Sequence, residues 1–189
     1  MPTAGGSSAN VVSGSGTNGL PWTNPANAEG AVDGISANNN ASAPNGTWSD
    51  YLASNDTVVS IPSGSTITDI EVSFYTRDPT GTTEVADWNA SLADGTHTWT
   101  YTGSGGSALP ASYTTFSVGG AAGTGGLPAS MITASGTLTI QGSFAVQAIG
   151  GSGYNADVDS VSWSITYTPP GGAQQCIVIG QAVNRASRF

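Results

Sequence analysis

One imidazole, one thiol and twelve scattered carboxylates are what the sequence offers to acid–base or covalent chemistry. His97 is the only histidine, so a Ser-His-Asp arrangement would have to be built on it. In the run 96–102 it alternates onto one strand face with Trp99 and Tyr101, while the threonines take the other, and a histidine so placed reads as packing. Paired carboxylates could cleave a glycosidic bond with no histidine, and Asp50, Asp56, Glu84, Asp87 and Asp94 are available. No spacing singles out a pair, so no catalytic residue is assigned. Oxygen ligands for calcium are better grouped: Asp157 and Asp159 lie two residues apart beside Asn155, at a strand entrance. No Asp-x-Asp-x-Asp-Gly loop accompanies them, and a turn-capping role for Asp157 is the competing reading. The His and Cys clusters that transition metals require are absent. Trp48 and Trp88, near Asn and Asp that could bond hydroxyls, make a candidate sugar platform; the alternative is that large aromatics plug the ends of a core thin in Leu and Phe.

The elements that must position these groups are strands. With 27 Gly, 25 Ser and 23 Thr among 189 residues and only 8% charged residues, turns and hydroxyl-bearing faces replace the usual charged surface. Val161, Trp163, Ile165 and Tyr167 alternate with Ser160, Ser162, Ser164 and Thr166, and Ile70, Val72 and Phe74 alternate with Glu71, Ser73 and Tyr75. Asp94-Gly95 fits the turn of a hairpin between 83–92 and 96–102; further strands are expected at 113–118 and 137–149. Leu-Pro-Ala-Ser recurs at 109–112 and 127–130, too short a copy to mark a repeat architecture. Seven or eight short strands without a helical period predict an all-β chain, an antiparallel β-sandwich of jelly-roll-like type.

Charge narrows the partners. Arg77 is the single cation in residues 1–184, against all 12 acids, so neither nucleic acid nor an anionic membrane surface is an expected partner. One cysteine rules out an internal disulfide framework. The N-terminus lacks the basic and apolar regions of a signal peptide, which predicts synthesis in a cytoplasm without export. Three segments are expected: a flexible or partner-ordered arm at 1–20, a sandwich at 21–168, and a tail at 169–189 beyond the Pro169-Pro170-Gly171-Gly172 stop. In the tail, Cys176, Ile177, Val178 and Ile179 form a short β-branched run, followed by Arg185, Arg188 and Phe189. These residues are the expected partner-binding strap, able to complete a neighbour's sheet edge or to fold back on their own domain.

Three patches carry a resemblance. Trp22-Thr-Asn24-Pro25-Ala-Asn27-Ala28 followed by Asp33-Gly34 is similar to a W-x-N-P-x-N-A…D-G opening. Ile61-Pro62-Ser63-Gly64-Ser65-Thr-Ile67-Thr-Asp-Ile70-Glu-Val72 is similar to an I-P-x-G-A-x-I-x-G-I-x-V turn and strand, with Ser65 and Asp69 replacing small residues. Val158-Asp159-Ser-Val161-Ser-Trp163-Ser-Ile165-Thr-Tyr167 is similar to a V-D-x-V-x-I-T-V-x-Y closing strand. Together they resemble a β-sandwich module of tailed-bacteriophage virion proteins. The resemblance implies a β-sandwich on a phage particle, on the head as a decoration protein or on the tail or a fibre. Since no catalytic constellation stands out in the residues, the expected role is a non-enzymatic structural protein on the particle's exterior, a capsid decoration or other accessory virion protein bound to capsid or tail subunits. A homo-oligomer, with a trimer favoured, is the expected assembly, and no cofactor beyond the calcium candidate is implied. The competing expectation is a carbohydrate- or receptor-binding module of a tail or fibre.

Overall fold

Side chains of a strand point alternately to its two faces, so the Ser-x-Ser-x-Ser-x-Thr run at 160–166 can cover one face of a sheet only if its apolar partners find a second sheet. The computed structural model describes residues 3–8, 10–13, 20–40, 44–59, 61–80, 85–93, 98–102, 107–119, 131–132, 137–148 and 155–172. Among these, strands form at β1 (Thr3–Ser7), β2 (Val11–Ser13), β3 (Ala37–Asn39), β4 (Leu52–Val59), β5 (Thr66–Arg77) and β6 (Val85–Ala93). They continue with β7 (Thr98–Thr102), β8 (Ser107–Ala108), β9 (Thr114–Gly119), β10 (Met131–Ile132), β11 (Thr137–Gln147) and β12 (Ala156–Thr168). Every ladder is antiparallel. One sheet runs β1-β12-β5-β10, with β3 also on β12 and β9 also on β5; the other runs β2-β4-β11-β6-β7, with β8 also on β6. The chain is an all-β antiparallel sandwich, as its alternation predicts. β6 and β7 pair from Asn89↔Thr102 to Ala93↔Thr98, and the Asp94-Gly95 turn falls outside the described residues.

The core lies where the two sheets face each other. From the first sheet come Ile67, Val72, Phe74, Val158, Val161, Ile165 and Tyr167; from the second, Leu52, Ile140, Phe144 and Val146, all buried. Phe74 meets Phe144 across the interface with ring centroids 5.3 Å apart, and Trp22 closes one end at 6.0 Å from Phe144. β11 carries glycine where side chains of β5 press against it: a methyl group on Gly142 would lie 2.7 Å from Val72 Cγ1 and 3.0 Å from Phe74 Cζ.

Within the N-terminal segment 1–20, the described residues 3–8 and 10–13 lie against the sandwich. Thr3–Ser7 pairs with β12, and four residues later Val11–Ser13 pairs with β4 of the opposite sheet. Ser8, at the crossing, is 1% exposed; its amide donates to Val161 O at 2.7 Å, and its hydroxyl donates to the buried Asp56 carboxylate at 2.7 Å. The segment therefore laces both sheets along one side of its own domain. Thr-Ala-Gly-Gly-Ser carries no apolar alternation because an edge strand of this kind is held by backbone pairing.

Candidate functional site

Two carboxylates, two residues apart at the start of β12, have opposite fates. A bulge interrupts the β12–β5 register between Val158 and Ser160, and the residue it frees is Asp159. Its carboxylate, on a residue 1% exposed, accepts from the Asp33 amide at 3.2 Å and from the Gly34 amide at 3.2 and 3.3 Å. Asp33 in turn accepts from the Ile35 amide at 2.8 Å, and Gly34 has φ 82°, a conformation that disfavours any side chain. A carboxylate buried at this depth is tolerated because backbone donors replace its water.

Asp157 points elsewhere. It accepts from Arg77 Nε and Nη2, both at 3.0 Å, and Arg77 lies with Cζ 4.4 Å above the Tyr113 ring. Hydrogen bonding to Asp157, above all, raises the guanidinium pKa above its ordinary value, so Arg77 stays charged at every working pH. Tyr113 stacks on Tyr75 at 4.9 Å and 16°, and its hydroxyl donates to Ser36 Oγ at 3.1 Å. These groups stand on the outward face of the first sheet, because Phe74 and Thr76, which alternate with Tyr75 and Arg77, are buried. The face continues as a cross-strand row: Ser162 pairs with Ser73, and Ser73 with Ser117, whose hydroxyls lie 2.7 Å apart. Ser73 also donates to Glu71 at 3.0 Å.

The calcium candidate is therefore divided. Asp157 is committed to Arg77 and Asp159 to a turn, and among the described residues no group of three metal-ligating acids, His or Cys is gathered. The turn-capping role proposed for Asp157 belongs instead to Asp159. Trp48 is half-buried and forms an isolated bridge with Gln147, whose side-chain amide donates to Gly46 O at 2.9 Å. Trp88 stands in register with Phe144. His97 and the tail residues Cys176, Ile177, Val178, Ile179, Arg185, Arg188 and Phe189 lie outside the described residues. Sequence reasoning missed the Tyr75–Tyr113–Arg77 group. Its one visible sign was that Tyr75 and Arg77, a ring and a lone cation, fall on the polar side of an alternating strand.

The three sequence patches meet in this architecture. In the first, Trp22 Nε1 donates to Asp50 O at 2.8 Å, Pro25–Ala28 forms a 3-10 turn, and Asn27 Nδ2 donates to Ser36 O at 3.2 Å. In the second, the Ser65 amide and hydroxyl both donate to Pro62 O, which lets a fully buried serine close the turn. The third supplies Asp159 to the first and pairs with the second, Trp163 opposite Val72 and Tyr167 opposite Ile67.

Fold and site thus define an all-β sandwich with one hydroxyl-rich outer face. No family model matches the chain, and no curated protein matches it. Among solved structures it is similar to the enzymatically active domain of tailspike protein 4 of bacteriophage CBA120, at 11% identity and a TM-score of 0.32, covering 84% of this chain and 19% of that one. The match thus spans about a fifth of that solved chain, and a likeness of this size assigns this protein neither fold nor activity.

Proposed function

We propose that this chain is a non-enzymatic structural module of a tailed-phage particle, a capsid decoration or other accessory virion protein on the exterior surface. The observation that carries the reading is the mutual use of the three patches. The residues that resemble the virion module serve one another: Asp159 holds the Asp33-Gly34 turn, Ser65 bonds Pro62 within its own turn, and the third patch pairs with the second, Trp163 opposite Val72 and Tyr167 opposite Ile67. What the resemblance transmits is a way of building a sandwich, and a module defined by architecture suits a building block.

Attachment is assigned to the strap 173–189, whose apolar Cys176–Ile179 run and two arginines contrast with the acidic body. Symmetric assembly, with a trimer as first choice at a capsid site, is part of the same proposal. The test is a chain ending at residue 172, expressed beside particles that lack their own copy. The expected outcome is a folded body that stays in solution while the full chain sediments with particles. Truncated chains that load particles as fully as the intact chain would overturn the reading.

A further inference from the structure

The outward face of β5, β9 and β12 has a composition that the packing of the sandwich does not require. Phe74, Thr76, Val161 and Ile165 supply the inner face, so the outer positions are free of core constraint. They hold Ser73 and Ser117 in a hydroxyl row, then Tyr75, then Arg77 with Asp157 and the Tyr113 ring. The two rings and the guanidinium are held before any ligand arrives, by the 4.9 Å stack, the 4.4 Å cation–ring contact and the Tyr113–Ser36 hydrogen bond. Preorganisation of this kind lowers the entropy cost of binding.

We infer that this face binds carbohydrate, specifically an uncharged glycan chain. An aromatic ring offers a flat apolar surface to the C–H side of a sugar, while Arg77 as donor and Asp157 as acceptor stand side by side as adjacent sugar hydroxyls require. The serine hydroxyls extend the same donor–acceptor surface along the sheet. Electrostatics selects against anionic polymers: Asp157 matches the charge of Arg77, and the rest of the chain through residue 184 is acidic without another cation. The inference goes beyond the structural role proposed above and does not depend on it. It also moves sugar recognition away from Trp48 and Trp88.

The experiment is affinity electrophoresis of the full chain through gels containing dextran, mannan, galactan or, as the anionic arm, hyaluronan. Retardation by at least one neutral polymer, reduced tenfold or more by Y113A or R77A in chains whose circular dichroism spectrum shows the fold retained, is expected. The unmutated chain gives a second readout: the retarding polymer should protect Tyr75 and Tyr113 from nitration, read by peptide mass. No retardation by the neutral polymers, retardation by hyaluronan alone, or retardation without protection of these tyrosines would overturn the inference. So would loss of the Y113A chain from assembled particles without loss of sugar binding, which would mark the face as a protein contact. Normal particle loading by Y113A, together with lost retardation, separates this site from the strap.

Discussion

The two faces of β5 are the most informative comparison in the molecule. Inward, Val72 and Phe74 are at most 1% exposed and touch the opposite sheet; outward, Glu71, Ser73, Tyr75 and Arg77 are half-buried, Ser73 bonding Glu71 while Tyr75 and Arg77 both meet the Tyr113 ring. The same backbone serves both, so the difference lies in what each side chain must displace. Inside, volume is fixed by the distance between sheets, as the closeness of Gly142 to Val72 and Phe74 demonstrates. Outside, no opposing sheet among the described residues dictates volume, so an aromatic–guanidinium cluster there is not required by the packing of the two sheets.

Paired substitutions on one strand break or sharpen this contrast most directly. Phe74→Ala should destabilise by about 3–5 kcal/mol, because it empties a ring-sized space against Phe144. Its neighbour Tyr75→Ala gives up one stacked pair and should cost about 0.5–1.5 kcal/mol. Equilibrium denaturation in urea checks both, and equal losses would erase the distinction between the faces. Next in size is Asp159→Ala, which leaves the Asp33 and Gly34 amides without their acceptor and should cost about 1.5–3 kcal/mol. Hydrogen exchange at the Gly34 amide should accelerate in the same variant, since the turn loses its inner anchor. Ser8→Ala follows at about 1–2 kcal/mol, through the hydrogen bond lost to buried Asp56. Faster exchange along β1 and β2 together would identify Ser8 as the point where the two sheets are laced.

How much of this was legible in the sequence depends on whether a feature is periodic or relational. The alternation in β5 and β12 is written residue by residue, because burying one face of a strand forces a period of two. The buried set Val161, Ile165 and Tyr167 was therefore readable, although Trp163 ends half-buried beside Gly6 of β1. β1 itself was not readable: Thr-Ala-Gly-Gly-Ser contributes backbone donors and acceptors but no side-chain period. The use of Asp159 was hidden for another reason. Its partners lie about 125 residues away, and in sequence Asp157 and Asp159 look like a matched pair of ligands. A single bulge at Asp159 gives its carboxylate to the Asp33-Gly34 turn and leaves Asp157 for Arg77. The Tyr75–Tyr113 stack is relational in the same sense, since only the β5–β9 register brings the two rings together.

The smallest effect belongs to the ion pair on the outer face, and it decides whether that face contributes to stability at all. Arg77 is the more exposed partner, with a side chain 37% accessible against 13% for Asp157, so water and salt compete with the bond. A double-mutant cycle with Arg77→Ala and Asp157→Ala should give a coupling of about 0.2–1 kcal/mol at low salt, shrinking as ionic strength rises toward 1 M. Raising the pH should not remove it until the guanidinium itself titrates, because a folded-state pKa raised by Asp157 preserves the charged pair up to and beyond the usual arginine range. A weak, salt-sensitive coupling means the cluster is not retained for stability, which is what a recognition surface requires. A coupling of several kcal/mol, insensitive to salt, would instead make Arg77 and Asp157 part of the structural frame, and the contrast between the two faces of β5 would fail there.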